Sequence, residues 1–415
     1  MAIVKPFKAY RPLKEIAARV ASRPYDVLDS NEAREEVKGN PDSFLHVTKS
    51  EVDLPKDIDI HSEQVYQKAK VNLETLITKG HFFQDAKPCY YIYAQTMSGR
   101  TQYGIVGCAA VEDYLNGVIK KHELTRPDKE EDRKNHIRVT NFNAEPVFFA
   151  FPDHKELNGI MNEVIRNKAE YDFSSSDGIG HHLWVIDNDT FIRRIEEIFK
   201  NEIPHTYVAD GHHRTAAAAH VGSERKKNNP GHKGTEEYNY FMAVHFPASQ
   251  LRIIDYNRVV KDLNGLSKAE LLMKLEQAFV IEEKGEKVYK PKQHHNFSMY
   301  IDKKWYSLTA KSGTFDDKDP IGCLDVTILS NHLLSPVLDI TDLRKSTRID
   351  FIGGIRGLDE LKRRVDSGEM AVAFALYPVQ MNQLMDIADT NNIMPPKTTW
   401  FEPKLRSGLF LHGLE

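Results

Sequence analysis

Alternating hydrophobic and polar positions in the middle of the chain predict a β-sheet. From Cys89 onward, the segment CYYIYAQT, a polar break SGRTQ and the segment YGIVGCAAVE follow one another, which is the pattern of a hairpin. Further strands are predicted at Pro146 to Phe151, His182 to Ile186, Thr206 to Ala209 and Tyr240 to Phe246. The main sheet is therefore expected to begin near Cys89.

Helical periodicity fills the gaps between these strands. It is found at about Lys155 to Tyr171, Thr190 to Asn201 and Thr215 to Val221. The stretch Ser223 to Glu237 is polar and broken by Pro and Gly, so it predicts a loop. Strands that alternate with helices favour an α/β or α+β fold, here a mixed β-sheet core with flanking helices.

Changes in pattern divide the chain into three parts. Residues 1–85 mix short apolar pieces, turn signals and a polar helical run, and are expected to wrap the rest. Residues 86–260 form the predicted α/β core. Residues 261–415 contain a helix, a second hairpin (HNFSMYID and KWYSLTA) and a helix near Asp325 to Leu334, which predict a further α+β lobe.

Composition narrows the class of protein. Of 415 residues, 40% are hydrophobic and 28% charged, with a formal net charge of -4, so no global field favours nucleic acid or anionic membranes as partners. The longest apolar runs fall short of the roughly 20 residues that span a bilayer, and the first residues lack a secretory signal. A cytosolic location is expected.

The segment TYVADGHHRTAAAAHV carries the strongest chemical signal. A β-rich run meets Asp210 and Gly211 and then an alanine-rich helix, whose first N–H groups attract anions. Gly211 permits close approach of a ligand, and Arg214 supplies a fork of donors for phosphate or carboxylate oxygens. His212 and His213 are active near neutral pH, and Asp210 suits a metal or a hydroxyl. We predict an anionic, phosphorylated ligand here.

A second cluster lies in IKKHELTRPDKEEDRKNHIR. Lys129 and Arg133 fall on one face of a predicted helix and are candidate phosphate ligands. Glu123 is a candidate general base, because a carboxylate at the mouth of a phosphate site can remove a proton, and His122 is the alternative for that role.

Single residues elsewhere are further candidates. His181, in SSSDGIGHH, is a candidate substrate contact, with a structural histidine beside a strand as the alternative. Arg258 is a candidate phosphate ligand, with pairing to a carboxylate as the alternative. Prolines stiffen the loop MPPKTTWFEPKLRSGLF, so its cations Lys397, Lys404 and Arg406 are predicted phosphate ligands.

Several familiar sites are missing from the sequence. It has no G-x-x-x-x-G-K-[ST], no G-x-G-x-x-G and no H-E-x-x-H. Cys89, Cys108 and Cys323 form no C-x-x-C pair, which favours reduced, mostly buried thiols over a disulfide framework or a zinc knuckle.

Six segments together resemble a known family. They are PF at Pro6 to Phe7, PYDV at Pro24 to Val27, HELTRPDKEEDR at His122 to Arg133, GIGHHLW at Gly178 to Trp184, ADGHHR at Ala209 to Arg214 and MPPKTTWFEPKLRSGL at Met394 to Leu409. Over its whole length the chain resembles domain-of-unknown-function family 1015. The DGHHR turn is also similar to the signature of the ParB/sulfiredoxin-like fold, whose members include free-serine kinases.

This resemblance implies a ParB/sulfiredoxin-like element and a cytosolic kinase that converts free L-serine to O-phosphoserine. Its donor would be ATP, ADP or pyrophosphate, bridged by Mg²⁺. In that scheme Asp210 binds the metal or the serine hydroxyl, Glu123 removes the hydroxyl proton, and His213 and Arg214 stabilise the transferring group. The oligomeric state, a homodimer included, stays open.

Two other classes of protein are compatible with the same turn. ParB-like domains also act as nucleotide-dependent switches that bind partners without catalysis, although no basic stripe or helix-turn-helix pattern supports a DNA clamp here. A sulfiredoxin-like redox enzyme is disfavoured, because the turn contains no cysteine.

Overall fold

The computed structural model describes all residues of the chain and divides it into two units. The first unit consists of residues 1–251 and 403–415, and the second of residues 252–402. The strands of the first unit are β1 (Val4–Lys5), β2 (Tyr10–Pro12), β3 (Phe82–Gln84), β4 (Tyr90–Met97), β5 (Arg100–Ala110), β6 (Ile119–Lys120), β7 (Phe142–Asn143), β8 (Val147–Phe151), β9 (Tyr171–Ser174), β10 (Gly180–Ile186), β11 (Thr206–Asp210), β12 (Tyr240–Pro247) and β19 (His412–Gly413). Its helices are α1 (Ala17–Val20), α2 (Ser30–Glu36), α3 (Leu45–Thr48), α4 (Glu63–Thr78), α5 (Val111–Leu115), α6 (Pro127–Thr140), α7 (Lys155–Val164), α8 (Asp189–Glu202) and α9 (His212–Asn228).

A nine-stranded mixed sheet is the centre of the first unit. Eight strands run in the order β6-β11-β8-β12-β5-β4-β10-β9, and β1 also pairs with β5. The predicted hairpin is confirmed as the antiparallel pair β4 and β5. Parallel pairs, β6 with β11 and β8 with β12, occur beside antiparallel ones, so the predicted mixed α/β fold is confirmed.

Helix α9 packs its alanines against the sheet. Ala216 and Ala219 are fully buried in a cluster with Val208 of β11 and Phe149 of β8. Small side chains let the helix backbone approach the strands closely. The sequence prediction ended this helix near Val221 and continued as a loop, which was wrong, because α9 runs to Asn228. Glu, Arg and Lys in that stretch are good helix formers, and the helix ends just before Pro230.

The second unit has its own six-stranded sheet. Its strands are β13 (Tyr256–Val260), β14 (Phe279–Gly285), β15 (Asn296–Ile301), β16 (Lys304–Ala310), β17 (Ile349–Gly353) and β18 (Val372–Ala375), in the order β14-β16-β15-β18-β13-β17. Its helices are α10 (Lys268–Leu275), α11 (Asp325–Leu329), α12 (Gly357–Asp366) and α13 (Met381–Asp389), and α11 continues as a π-helical turn over Ser330–Leu334. The predicted second hairpin is confirmed as β15 and β16. No helix of either unit has the length and apolarity needed to cross a bilayer.

One buried carboxyl makes the stability of the second unit depend on pH. Asp325, the first residue of α11, is only 3% exposed and accepts a hydrogen bond from the backbone N–H of His295 at 2.8 Å. Burial raises the pKa of Asp325 to about 7, against the opposing effect of backbone N–H groups. Because this pKa is above that of the unfolded chain, the stabilisation is complete below about pH 4 and is lost as the pH rises through 7.

Asp325→Asn should therefore make the second unit more stable at pH 8, by about 4 kcal/mol, with little change at pH 4. Urea unfolding at both pH values would measure this difference. Asp317→Asn, at an exposed position nearby, is the matched control and should behave like the original chain. Identical pH dependence of unfolding in Asp325→Asn and in the original chain would show that Asp325 is not the titrating group.

Candidate functional site

The predicted turn lies where two parallel strands end side by side. Strands β6 and β11 are paired in parallel, with Tyr207 opposite Lys120. The residues that follow each strand therefore leave the sheet at the same edge. This pairing brings His122 and Glu123, which follow one strand, close to the turn after Asp210, which follows the other. The sequence alone did not show whether these two segments meet.

Gly211 shapes the turn. Its φ of 92° is in the left-handed region, which is unfavourable for any residue that has a Cβ atom. A Cβ added at Gly211 would also lie only 3.2 Å from the guanidinium of Arg214. The first hydrogen bond of α9 runs from the N–H of Thr215 to the carbonyl oxygen of Gly211 at 2.9 Å. The N–H groups of residues 212–214 precede it and have no acceptor within the helix.

Asp210 is held between two cations. Lys404 Nζ donates to Asp210 Oδ1 at 2.7 Å, and Arg214 Nη2 donates to Oδ2 at 3.0 Å. Burial opposes ionisation, yet the charges of Lys404 and Arg214 outweigh it and hold the pKa of Asp210 at about 2. Asp210 is thus a carboxylate at any physiological pH, with a quarter of its side chain still exposed.

Arg214 connects this carboxylate to the interior. Its side chain is buried, and its Nη1 donates to the carbonyl oxygen of Pro146 at 2.7 Å. Burial alone would lower the pKa of Arg214, but the surrounding carboxylates raise it, with Asp26 and Asp210 first among them. The guanidinium therefore stays charged and fixed in place.

Asp26 is a site residue that sequence reasoning missed. Its side chain is solvent-exposed, yet the protein around it crowds the carboxyl and, together with the charge of Asp210, raises its pKa, whereas Arg214 and Lys404 act in the opposite sense. The signal was present in the PYDV segment, which marked the family resemblance without suggesting a role for Asp26.

Arg133 is engaged in ion pairs beneath the PYDV segment. It contacts Asp132 at 2.8 Å and Glu145 at 3.3 Å, and its guanidinium lies 3.9 Å from the ring centre of Tyr25. Glu145 also accepts a hydrogen bond from the backbone N–H of Tyr25 at 3.1 Å. Arg133 thus holds the residue before Asp26 in place, and its direct contact with phosphate stays a prediction.

Two buried histidines face each other at the strand ends. The ring centres of His122 and His212 are 4.5 Å apart, with perpendicular planes. Neither nitrogen of His122, nor Nε2 of His212, has a hydrogen-bond partner of normal geometry. Burial lowers the pKa of His122 to about 4 and that of His212 well below its usual value, so both rings are neutral. Glu123 Oε2 lies 3.7 Å from His212 Nδ1.

His213, in the first turn of α9, contacts the start of α6, where Lys129 also lies. His213 Nε2 accepts a hydrogen bond from the backbone N–H of Arg126 at 3.1 Å, so this nitrogen is unprotonated. Burial is the main cause that lowers the pKa of His213. Lys129 is half-buried in the first turn of α6.

Arg406 and His181 belong to a different network. Arg406 Nε is 3.4 Å from His181 Nε2, and another nitrogen of its guanidinium pairs with Asp177. Since arginine only donates, His181 Nε2 is an acceptor and its Nδ1–H donates to Tyr93 Oη at 2.8 Å. Burial first, and then the charge of Arg406, lower the pKa of His181 to about 3. His181 is fully buried, and substrate contact by it stays a prediction.

The last two predicted residues are found in the second unit. Arg258 of β13 is buried and donates to the carbonyl oxygens of Tyr256 and Lys397, the latter at 3.0 Å. Burial lowers the pKa of Arg258 to about 10. Lys397 lies 5.7 Å from the ring centre of Tyr256.

The family model of a protein of unknown function, DUF1015, matches residues 4–327. The chain belongs to this family. A search of curated proteins found no match.

Three solved structures are similar to this DUF1015 chain. A conserved hypothetical protein from Pyrococcus furiosus has 13% identity and a TM-score of 0.35, over 73% of this chain and 93% of that chain. A free serine kinase in complex with AMP has 11% identity and a TM-score of 0.35, over 73% and 91%. SbnI with C-terminal truncation, from Staphylococcus aureus, has 11% identity and a TM-score of 0.37, over 73% and 85%. These identities and TM-scores are too low to assign an activity to this chain.

Proposed function

We propose that this protein is a small-molecule kinase that transfers a phosphoryl group to the hydroxyl of free L-serine, giving O-phospho-L-serine. The observation that carries the proposal is the ionised Asp210, which lies between Lys404 and Arg214 at the start of α9. Catalysis of phosphoryl transfer depends mainly on positioning the reactants and neutralising their charge. This turn supplies backbone N–H groups and cations for positioning and neutralisation, and a carboxylate for a metal ion.

The start of α9 suits the phosphates of the donor. The N–H groups of residues 212–214 and the positive end of the helix dipole attract anions. Lys404 and Arg214 add positive charge that is already in place before a ligand arrives. The resemblance of the DGHHR turn to the matching turn of free-serine kinases supports serine as the acceptor and ATP, ADP or pyrophosphate as the donor.

Asp210 fits the Mg²⁺ that such a donor requires. A carboxylate offers about four lone-pair positions, and only two of Asp210 accept hydrogen bonds from Lys404 and Arg214. The exposed quarter of the side chain leaves it accessible. Asp210 would hold Mg²⁺ through its carboxylate, and the ion would supply positive charge for the phosphate oxygens of the donor.

The acceptor hydroxyl needs a base, and two carboxylates qualify. Glu123 is the candidate from the sequence, whereas Asp26 is exposed and has the raised pKa that suits a base in contact with a substrate proton. We assign the role to Asp26, because it interacts electrostatically with Arg214, Asp210 and Lys404. His213 and Arg214 then stabilise the transferring group.

Asp26→Asn is expected to lower kcat about 100-fold, since a positioned base contributes at least that much. In the original chain kcat/KM should rise with pH through a pKa above the usual aspartate range, because only the ionised form accepts the proton. Asp26→Asn should lack this limb of the profile. If the limb persists in Asp26→Asn and disappears in Glu123→Gln, then Glu123 is the base.

Phosphorus NMR tests the proposal itself. The purified chain is incubated with Mg²⁺, L-serine and, in separate samples, ATP, ADP or pyrophosphate. An O-phosphoserine signal in one sample is the expected result and identifies the donor. Its absence from all three would reject the serine kinase, and nucleotide binding without turnover would then favour the ParB-like switch.

A further inference from the structure

The two buried histidines at the strand ends lack the hydrogen bonds that such groups need. His122 is 1% exposed and His212 is 6% exposed, and three of their four ring nitrogens have no hydrogen-bond partner of normal geometry. A buried polar atom without a partner costs about 1–3 kcal/mol. Three such atoms in one place indicate that a ligand from outside the chain completes the cluster.

Burial without hydrogen bonds is not sufficient by itself to indicate a ligand. His245 is also buried with both nitrogens unpartnered, but it packs against the rings of Phe149 and Phe199. The pair His122 and His212 differs, because Glu123 brings a carboxylate to the same place. One ligand atom from each of these three residues lies within 4.8 Å of the other two.

We propose that His122, Glu123 and His212 bind one divalent transition-metal ion of the zinc, manganese and iron(II) class. Two neutral imidazoles and one carboxylate are the ligands found in many catalytic zinc and non-haem iron sites. Three protein ligands leave at least one coordination position for water or a substrate oxygen. Imidazole ligands disfavour Mg²⁺, so this ion is distinct from the one assigned to Asp210.

The spacing needs only a small closure. Ligand atoms at about 2.0–2.1 Å from a metal are separated by about 3.4 Å in a tetrahedron and up to about 4.2 Å across the ion. The observed 3.7 Å between Glu123 Oε2 and His212 Nδ1 already satisfies that range. The side chain of Glu123 is 48% exposed, so it can rotate toward the two rings, which are held by the core.

The strand pairing explains why these ligands meet. His122 and Glu123 follow β6, and His212 follows β11 by one turn residue, so two parallel strands deliver them to one edge of the sheet. The inference does not rest on the proposed kinase activity, since a metal site here would exist whatever reaction the chain performs.

Metal binding by the full-length chain tests this inference directly. After treatment with a chelator, the chain is titrated with Co²⁺ by absorption spectroscopy and with Zn²⁺ by calorimetry. We expect one ion per chain, not displaced by excess Mg²⁺. Glu123→Gln and His122→Asn should each weaken Zn²⁺ binding at least about 100-fold, because they remove a ligand rather than an outer contact.

Control measurements show whether a loss of Zn²⁺ binding is specific to the three proposed ligands. His220→Ala removes a histidine of α9 that pairs with Glu130 at 2.6 Å, outside the cluster, and should leave Zn²⁺ affinity unchanged. Circular dichroism checks that each variant is folded. Because the side chain of Glu123 is half-exposed, Glu123→Gln should disturb the core less than His122→Asn. The inference is overturned if no stoichiometric ion binds, or if Asp210→Asn abolishes binding whereas Glu123→Gln does not. A phosphoserine assay that fails while Zn²⁺ still binds would reject the kinase alone.

Discussion

Asp210→Asn is expected to lower the rate of L-serine phosphorylation about 1,000-fold. The substitution keeps the shape of the side chain but removes the charge that Lys404 and Arg214 hold in place. Preorganised charges at a reacting centre contribute about 100- to 1,000-fold each, and Asp210 also supplies the proposed oxygen ligand for Mg²⁺. Steady-state kinetics with saturating serine and donor measures the effect as kcat.

Asp153→Asn is the matched control for this experiment. Asp153 also accepts two hydrogen bonds, from the backbone N–H of Ser249 at 2.9 Å and from its hydroxyl, and it is a surface residue of the same unit. We expect its kcat to equal that of the original chain. A folded Asp210→Asn variant with unaltered kcat would remove the turn from the catalytic site.

Arg214→Ala should destabilise the first unit by about 3–5 kcal/mol, because it removes a buried cation that compensates the mostly buried carboxylates of Asp210 and Glu145. Arg214 compensates Asp210 directly and also interacts with Asp26 and Glu145. Its loss further removes the donor to the carbonyl oxygen of Pro146. For a unit of this size the expected fall in Tm is about 10 °C, measured by calorimetry.

Arg194→Ala provides the comparison for Arg214→Ala. Arg194 contacts three glutamates, but its side chain is 34% exposed, and ion pairs in contact with water contribute about 0–1 kcal/mol. The two variants should therefore differ clearly in Tm. Equal and small changes in both would show that the network around Arg214 does not hold the turn together.

Local sequence patterns predicted those parts of the molecule that depend on local physics. The alternation after Cys89 predicted the hairpin of β4 and β5, and Asp210 with Gly211 before an alanine-rich run predicted the strand, turn and helix of the site. In each case the period of the side chains or the backbone freedom of glycine decides the structure.

Contacts between distant residues could not be predicted in this way. Lys404 pairs with Asp210 across 194 positions of the chain, and no local pattern indicated which of several cations would do so. The electrostatic coupling of Asp26 to Arg214 likewise joins residues that are far apart in the sequence. Arg133, whose contact with phosphate stays a prediction, is paired with Asp132 and Glu145, and these carboxylates compensate the charge of its buried guanidinium.

The central claim is that the start of α9 binds the phosphates of a donor, and a crystal structure of the chain with Mg²⁺, ADP and O-phosphoserine tests it most directly. We expect phosphate oxygens within hydrogen-bond distance of the N–H groups of residues 212–214, with Asp210 in contact with Mg²⁺ and Asp26 facing the serine oxygen. Phosphates bound elsewhere on the chain, with this turn contacting no ligand, would contradict it.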